Sequence, residues 1–314
     1  MSDAIPVVFC FDANYANYAA VATYSLHQNT SSALNIYWII PAEEKDDIVP
    51  IQQILLQRGL QIRLLCADTS MFSDWKVVGH FSRGMYLRLL IPDLLSERKA
   101  IYLDSDTLVL GDLTELYESD MQQNLIGGVI DINEGINSKI PRSDGDIYIN
   151  SGVLVMDLDA LRADRFLKKC TEIYRQYAQL TILPDQCVIN KYADGKKLIL
   201  DPGWNRQIIH NNTSKELWRQ IIAGGHSKVL HFITDTKPWQ TWCLPYLSEF
   251  WWSYANQLAL PGLKPAEATE LTHFICLAKA YDQTGDFGKA SRLKSDIIRT
   301  LLKAVVDLSS AECA

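Results

Sequence analysis

Short apolar runs alternate with amphipathic segments along the early part of the chain. Three of these runs, Pro6–Phe11, Leu34–Ile40 and Leu60–Cys66, predict strands. Pro6–Phe11 carries no polar side chain, which is the pattern of a strand buried on both faces of a sheet. Between them, Asn17–Gln28 predicts a helix and Glu43–Gln57 carries apolar residues at helical spacing. The alternation of strand and helix is typical of a parallel, doubly wound sheet.

A fourth apolar run, Ala100–Leu103, stops at Asp104, Ser105 and Asp106 before apolar character resumes at Thr107–Leu110. Buried charge is costly unless it is paired or binds a metal. Two aspartates one residue apart at a strand end can both reach one divalent cation. Aspartate is also common in polar turns that follow strands, so the pattern alone leaves both interpretations open.

The rest of the chain predicts further strands and helices around one long loop. Further strands are predicted at Leu125–Ile130, Ile147–Asp157, Lys197–Leu200 and Lys228–Ile233. Further helices are predicted at Ser82–Leu95, Leu113–Tyr117, Arg165–Gln179, Asp185–Tyr192 and Ser214–Ala223. The segment Ile132–Asp146 is rich in Gly, Asn, Ser and Asp, has no apolar period, and predicts a mobile loop.

From about Leu244 onward the sequence predicts helices only. Pro261–Pro265 marks a boundary, and Leu277–Ile297 resembles one tetratricopeptide-type hairpin by its small alanines, Gly285 and Phe287. A single hairpin cannot bury its apolar face alone, so we expect it to pack on the main domain or on a second subunit. We therefore predict a main domain over residues 1–243 and a helical region over residues 244–314.

Charge and composition narrow the classes of function. The net charge is -7, with 37 acidic and 30 basic residues and no basic block, which argues against a nucleic-acid partner. The seven cysteines are scattered without zinc-like spacing, which predicts reduced thiols. No signal-peptide pattern or bilayer-length apolar stretch is present, so we expect a cytoplasmic protein, with peripheral attachment at the inner face of the membrane left open. No Gly-x-Gly-x-x-Gly follows the first strand, which argues against a dinucleotide oxidoreductase.

Six segments between Val7 and Trp239 resemble, in the same order, the motifs of one enzyme family. They are FDANYANYAAVATYSL, SRGMYLRLLIPDLL, KAIYLDSDTLV, YINSGVLVMDL, LPDQCVIN and LHFITDTKPW. Each is weak alone, but the ordered set resembles glycosyltransferase family 8, the retaining enzymes that include bacterial lipooligosaccharide and lipopolysaccharide α-galactosyl- and α-glucosyltransferases. The resemblance implies a GT-A fold, an α/β architecture with a Rossmann-like, mostly parallel central sheet flanked by helices, followed here by a C-terminal helical extension.

The resemblance implies a metal site formed by Asp104, Asp106 and His231. An imidazole among oxygen ligands suits Mn²⁺ better than Ca²⁺, and Mg²⁺ is the alternative. By pattern alone His231, in an apolar strand, could be a buried structural histidine. Its position five residues before Thr236–Trp239 favours the ligand role.

Residues of the nucleotide loop are implied in the same way. Asp12, Asn14 and Tyr15 would hold the uracil and ribose, with Tyr15 stacking on the base. Asp12 or Asn14 could at the same time cap the following helix. Ala13 stands where some members of the family have an aspartate, so a contact there must come from the backbone or be absent.

The resemblance also implies residues that face the phosphates and the sugar of the donor. Arg88 would face both, although the pattern alone predicts an exposed helical arginine. Lys237 would neutralise the leaving diphosphate, with Trp239 packing nearby. The remaining donor contacts implied are Ser105, Asn150, Ser151, Asp185 and Gln186. Asp185 would hold sugar hydroxyls or simply cap a helix. Gln186 would lie beneath the anomeric carbon. The acceptor mouth would be formed by His80, Asp131 and Trp204.

The function implied is transfer of a hexose, glucose or galactose, from a UDP-sugar donor to a hydroxyl of a carbohydrate or glycoconjugate acceptor. Gln186 is a poor nucleophile, which favours front-face attack with a β-phosphate oxygen taking the acceptor proton. Bacterial surface-glycan synthesis, such as lipopolysaccharide biosynthesis, is the context expected from the family. The alternatives are a catalytically inactive UDP-sugar-binding protein and a self-glucosylating, glycogenin-like enzyme. A homodimer formed through the C-terminal helices is also expected.

Overall fold

The computed structural model describes residues 4–77, 82–133, 139–181, 183–210 and 213–311. The predicted acceptor residue His80 lies outside these ranges. So does the middle of the predicted mobile loop.

The chain divides into two compact units. The first comprises Met1–Ile208 with Ile221–Ile233, and the second comprises Ile209–Gln220 with Thr234–Ala314.

Ten strands form two sheets in the described part of the chain. They are β1 (Ile5–Cys10), β2 (Leu34–Pro41), β3 (Ile62–Ala67), β4 (Lys99–Leu103), β5 (Thr107–Val109), β6 (Ile126–Ile130), β7 (Ile149–Asp157), β8 (Lys197–Ile199), β9 (Arg206–Gln207) and β10 (Val229–His231). The larger sheet has the order β3-β2-β1-β4-β7-β6-β8 and the smaller one the order β5-β10-β9. All pairs of the larger sheet are parallel except those that β7 makes with β4 and β6, which confirms the mostly parallel sheet.

The helices of the described ranges are α1 (Ala16–Asn29), α2 (Lys45–Gln57), α3 (Ile91–Leu94), α4 (Thr114–Glu118), α5 (Leu158–Ala163), α6 (Phe166–Tyr177), α7 (Pro184–Tyr192), α8 (Lys215–Ala223), α9 (Pro245–Leu258), α10 (Leu271–Thr284) and α11 (Phe287–Ala311). Short 3₁₀ segments occur at Ala13–Tyr15, Ala42–Glu44, Ser70–Phe72, Arg83–Leu90 and Pro202–Asn205. β1 and most of β4 are buried, as their unbroken apolar runs predict. A large core cluster joins these strands to β7, α6 and α7.

Over Ser82–Leu95, where a helix with a second short turn from Pro92 is expected, the chain forms a 3₁₀ helix rather than an α-helix, followed by the short α3. Pro92 has no backbone N–H and cannot donate to the Arg88 carbonyl four residues earlier. The Ile91 N–H donates to that carbonyl instead, which is the i→i−3 pattern of a 3₁₀ helix. Almost every residue from Gly84 to Leu90 is buried, so this segment belongs to the core rather than to the surface.

The two sheets meet at the end of β4. The chain leaves the large sheet at Leu103, turns through Asp104–Asp106, and enters the small sheet as β5. β10 lies antiparallel to β5 with His231 opposite Thr107. The aspartates of the turn and the histidine of β10 are therefore brought together by strand pairing.

Buried ion pairs hold the C-terminal end of the predicted mobile loop. Asp146 Oδ2 lies 2.7 Å from Lys197 Nζ and 3.0 Å from an Arg142 guanidinium nitrogen. At the other end, the Ile132 N–H donates to Gln207 Oε1 at 3.1 Å. The mobility of the loop stays a prediction.

The second unit is helical, which confirms the expected C-terminal helical region. α10 and α11 pack along each other and are joined at Gly285, whose φ of +84° is the left-handed conformation common after a helix end. Phe287, Ile298 and Leu302 of α11 are exposed. The domain boundary between residues 243 and 244 stays a prediction. None of the described helices is both long and apolar enough to cross a membrane.

Candidate active site

Asp104, Asp106 and His231 converge at the junction of the two sheets. His231 Nε2 lies 3.2 Å from Asp106 Oδ1 and 3.6 Å from Asp104 Oδ2. One ligand atom from each of the three residues lies within 4.8 Å of the others, close enough to share one ion. The interpretation of His231 as an isolated structural histidine does not fit this arrangement.

Gly152 forms the floor of this cluster. Its carbonyl accepts a hydrogen bond from the Asp104 N–H at 2.8 Å. A β-carbon added at Gly152 would lie 2.1 Å from His231 Cε1 and 2.8 Å from Asp104 Oδ2. Only glycine therefore lets β7 approach the His231 ring as closely as it does.

Arg88 is buried beside the same cluster, with 6% of its surface exposed, so the interpretation as an exposed helical arginine is wrong. Its guanidinium lies 2.8 Å from Asp104 Oδ1 and 3.2 Å from Asp185 Oδ2. It also donates to the Ser151 carbonyl and hydroxyl oxygens at 3.1 and 3.0 Å. Burial is the largest single influence on Arg88 and opposes its charge, but the surrounding acidic groups, Asp104 first among them, together outweigh burial and keep the pKa of the guanidinium above its usual value.

Asp185 is the second buried carboxylate on this guanidinium. Burial raises the pKa of the Asp185 carboxyl above its usual value, and the Arg88 charge opposes that shift. The expected capping role is wrong, because the helix begins one residue earlier, with Leu183 as its N-cap and Pro184 in its first turn. Proline fits the first helical position since its fixed φ is already helical.

The loop after β1 carries the predicted nucleotide residues. Asp12 is the N-cap of the 3₁₀ turn and accepts from the Tyr15 N–H at 3.2 Å, which confirms its capping role. Asn14 is exposed at the tip of the loop. Where some family members carry an aspartate, the Ala13 N–H donates to Glu44 Oε2 at 2.6 Å. Sequence reasoning missed Glu44, because this contact joins elements 31 residues apart.

One cavity connects the nucleotide loop to the aspartate cluster. It is lined by Cys10, Phe11, Asp12, Tyr15, Ser82, Gly84, Met85, Arg88, Asp104, Ser105 and Asp106. Five of the residues implied for the nucleotide, the phosphates and the metal thus line the same cavity.

Gln186 lies beside β7 in a buried polar network. Its Oε1 accepts from the Ser151 N–H at 2.9 Å, and its Nε2 donates to Asp131 Oδ2 at 3.0 Å. The Asn150 side-chain amide donates to the same Asp131 oxygen at 3.0 Å. Asp131 has 3% of its surface exposed, so it is a buried partner of Gln186 rather than an open rim residue.

Two other predicted residues are also buried. Trp204, expected at an acceptor mouth, is packed within the 3₁₀ turn Pro202–Asn205. Lys237 belongs to the second unit, where its N–H donates to Gln240 Oε1 at 2.6 Å. The ring of Trp239 packs on Trp251 with centroids 5.3 Å apart. The role of Lys237 toward a diphosphate stays a prediction.

Sequence reasoning also missed Gly152 and Asn205. The Gly152 requirement comes from the approach of β10, and Asn205 hydrogen-bonds the ring of His231 across 26 residues. Asn205 follows a Pro-Gly turn signal, but nothing in the local sequence points to its partner.

Comparison with known proteins places this geometry in a family. The model described as "Glycosyl transferase family 8" matches residues 6–243. Among curated relatives, the glycosyltransferase GlyF of Streptococcus pneumoniae is 28% identical over 67% of this chain and 52% of its own length. This chain thus corresponds to about half of GlyF. The lipopolysaccharide 1,2-glucosyltransferase of Escherichia coli is 25% identical over 77% of this chain and 75% of its own length.

Solved structures agree with the family match. The galactosyltransferase LgtC, in complex with donor and acceptor sugar analogues, superimposes with a TM-score of 0.72 at 25% identity. The alignment covers 82% of this chain and 98% of LgtC. This likeness confirms the predicted GT-A fold.

Proposed function

Because the chain belongs to glycosyl transferase family 8, we propose that it transfers glucose or galactose from a UDP-sugar to a hydroxyl of a glycan or glycoconjugate, with retention at the anomeric carbon. One observation carries this proposal. The cluster of Asp104, Asp106 and His231 borders the same cavity as Asp12 and Tyr15. A nucleotide held by the loop would thus have its phosphates next to a cation site.

The residues of the cluster fit a divalent metal. Two carboxylates and one imidazole form a mixed oxygen and nitrogen donor set, which suits Mn²⁺; Mg²⁺, which prefers oxygen ligands, is the alternative. The Ser105 hydroxyl between the two aspartates is buried and makes no hydrogen bond within the described residues. A ligand bound to the cation would give that hydroxyl a partner. When bound, the metal would neutralise charge that develops on the departing diphosphate.

The chain's own residues would hold the rest of the donor. Tyr15 would stack on the uracil, and Asp12 and Asn14 would bind polar atoms of the base and ribose. Arg88, kept charged by two carboxylates, would lie between phosphate and sugar. Lys237 would add a second cation at the leaving group.

The sugar would lie over Asn150, Ser151, Asp185 and Gln186. Gln186 Oε1 already accepts hydrogen bonds from the Ser151 N–H and the Ser151 hydroxyl, at 2.9 and 3.3 Å. An amide oxygen held in this way is a poor nucleophile toward an anomeric carbon. The contacts therefore favour front-face attack, in which a β-phosphate oxygen takes the acceptor proton, over a covalent glycosyl-enzyme.

The named relatives support a glycan acceptor. One of them acts on lipopolysaccharide and another was crystallised with an acceptor sugar analogue. We infer a role in the synthesis of a bacterial surface glycan. The catalytically inactive binding protein and the self-glucosylating enzyme remain as the alternatives that the following experiment separates.

The test is a screen of UDP-glucose, UDP-galactose and UDP-N-acetylhexosamines for Mn²⁺-dependent UDP release, with and without acceptor sugars. One hexose donor should be consumed, and chelation of the metal should stop the reaction. Asp106→Asn should lower the rate roughly a hundred- to a thousandfold at saturating Mn²⁺, since a group that stabilises developing charge is lost. Asp93→Asn, an exposed aspartate of α3, is the matched control and should leave the rate unchanged.

Three outcomes would contradict the proposal. Binding of UDP with Mn²⁺ and no turnover of any donor would identify a binding protein. Incorporation of label into the chain itself would identify self-glucosylation. Wild-type turnover by the Asp106→Asn variant would remove the metal assignment.

A further inference from the structure

A closed ring of buried polar side chains joins His231 to Gln186 and returns to the aspartate cluster. Its members, in order around the ring, are Asp104, Arg88, Ser151, Gln186, Asp131, Asn150, Asn205 and His231. Each link is 3.3 Å or shorter except the last, from His231 Nε2 to Asp104 Oδ2 at 3.6 Å. The whole ring lies within the first unit.

Asp131 fixes the direction of the hydrogen bonds on both of its sides. Its Oδ2 can only accept, so the groups facing it must be the donor nitrogens, Gln186 Nε2 and Asn150 Nδ2, each at 3.0 Å. Its Oδ1 accepts the Asn133 N–H at 2.8 Å. The Ser151 N–H, which can only donate, faces Gln186 Oε1 and holds the amide of Gln186 in the same orientation.

The same direction passes along the two asparagines to His231. Since Asn150 Nδ2 faces Asp131, Asn150 Oδ1 accepts from the Gly152 N–H at 3.0 Å and from Asn205 Nδ2 at 2.8 Å. Asn205 must then present its Oδ1 to His231 Nδ1, 3.0 Å away. An amide oxygen is an acceptor, so Nδ1 carries a hydrogen. Nε2 faces Asp106 and Asp104 at 3.2 and 3.6 Å, so it is the ring nitrogen placed to bind a metal beside these carboxylates.

We propose that Asp131 is a positioning residue that acts on two groups at once: it helps to hold the amide of Gln186 and, through Asn150 and Asn205, the hydrogen on Nδ1 of His231 that leaves Nε2 to bind a metal. Metal-binding histidines are commonly oriented by a hydrogen bond from the other ring nitrogen, and loss of that partner weakens metal binding. Here the orienting chain continues beyond Asn205 and ends at a carboxylate beside the sugar-facing amide. The role in sugar transfer rests on the proposed function, whereas the tautomer does not.

Asp131→Asn is the variant that disrupts the hydrogen bonds of the ring, because it puts a donor group where Asp131 only accepts. An asparagine amide that accepts the Asn133 N–H through its oxygen must point its NH₂ group at Gln186 and Asn150, which are already donors. If the amide turns over instead, its NH₂ group opposes the Asn133 N–H. Position 131 then no longer accepts from both of its neighbours in the ring, although the side chain keeps its size. We expect Mn²⁺ affinity, measured by titration with Mn²⁺ alone and with UDP present, to fall roughly 10- to 100-fold.

Asn205→Leu separates the two effects. It removes the hydrogen-bond partner of His231 but leaves Asp131 and Gln186 in contact. Its Mn²⁺ affinity should fall to a similar extent, and its kcat should recover at saturating Mn²⁺. The kcat of Asp131→Asn should stay low at saturating Mn²⁺, because Gln186 is also released. A residue with a merely structural role would not produce this split.

Asp146→Asn is the matched control for loss of a buried carboxylate. Asp146 flanks the same predicted loop, is equally buried, and pairs with Lys197 outside the ring. This variant should lower the melting temperature without changing Mn²⁺ affinity. A loss of Mn²⁺ affinity in Asp146→Asn equal to that in Asp131→Asn would overturn the proposal, as would unchanged affinity in Asp131→Asn.

A second measurement tests the tautomer without any metal. Nitrogen chemical shifts of the His231 ring in the metal-free protein, assigned with a His231→Gln variant, should report a hydrogen on Nδ1 in the wild type, whether or not Nε2 also carries one, and a partial loss of it in Asp131→Asn and Asn205→Leu. A wild-type ring with no hydrogen on Nδ1 would overturn the proposal. If the wild type shows the Nδ1–H tautomer but binds no Mn²⁺, the metal assignment fails while the ring assignment stands.

Discussion

A β-carbon at position 152 would overlap the ring of His231, and this makes the glycine a direct test of how the metal cluster is packed. Gly152→Ala must push His231 or β7 away, because the new atom would lie 2.1 Å from Cε1. We expect Mn²⁺ affinity to fall at least roughly tenfold, as for loss of a group that orients a ligand. Spin-resonance titration of Mn²⁺ measures the change directly.

The control for this substitution is Gly127→Ala in β6. A β-carbon there would meet Leu200, Val155 and Leu198 no closer than 3.5 Å, which is ordinary contact. That variant should bind Mn²⁺ like the wild type. Equal losses in the two variants would mean that β-carbons in these strands disturb the sheet in general rather than His231.

At this scale the sequence predicts the residues that carry charge better than those that position them. Asp104 and Asp106 stand out because carboxylates at the end of an apolar run need a reason to be there. Helical patterning suggested that Arg88 is exposed, and only the family resemblance pointed to a place for it at the site. Gly152 and Asn205 could not be predicted, because their roles depend on contacts with His231 that only the folded chain creates.

At the scale of elements, apolar runs predict strands but not their direction. β7 lies antiparallel to both β4 and β6, yet its buried run looks like that of a parallel strand. An interior strand covered on both faces has the same apolar pattern in either direction. The small sheet could not be predicted from the sequence either, because β9 has only two residues and pairs with β10 through tertiary contacts.

Asp112, between β5 and α4, shows how one side chain ties elements together. Its Oδ2 accepts from the Ser31 N–H at 3.0 Å, just after α1, and its Oδ1 from the Thr114 N–H at 2.8 Å. Hydrogen bonds from Ser31, then from Thr114, hold the pKa of Asp112 below its usual value of 3.8. The ionised form is therefore favoured by folding, so its stabilisation is present above pH 3.8 and is lost as the pH falls through the lower pKa of the folded state.

Asp112→Ala should therefore lower the free energy of unfolding by about 1 kcal/mol at neutral pH, the scale of a surface hydrogen bond. The difference from the wild type should narrow as the pH falls below 3.8. Urea denaturation across this range measures it. The exposed Asp74→Ala serves as the control, and a difference that stays constant with pH would refute the linkage.

At the scale of the whole molecule, the sequence predicted the fold class through six ordered motifs rather than through any single element. The family match over residues 6–243 and the likeness to LgtC agree with that interpretation. The sequence left open how the C-terminal helices are covered. A tetratricopeptide-like hairpin normally stacks on neighbouring repeats, and the described part of this chain contains a single hairpin of this kind.

The exposed apolar face of α11 leads to a prediction about assembly. Phe287, Ile298 and Leu302 are 68%, 57% and 61% exposed, and contiguous apolar surface of this kind usually marks an interface. Basic and acidic residues are equal in number from Lys264 onward, so an anionic membrane has little electrostatic attraction for this region. We therefore expect a concentration-dependent homodimer, which light scattering after size exclusion would detect.

Ile298→Gln with Leu302→Gln should give a monomer, whereas Met71→Gln, at an exposed apolar residue of the first unit, should leave the dimer intact. A wild-type chain that stays monomeric at every concentration would refute this assembly.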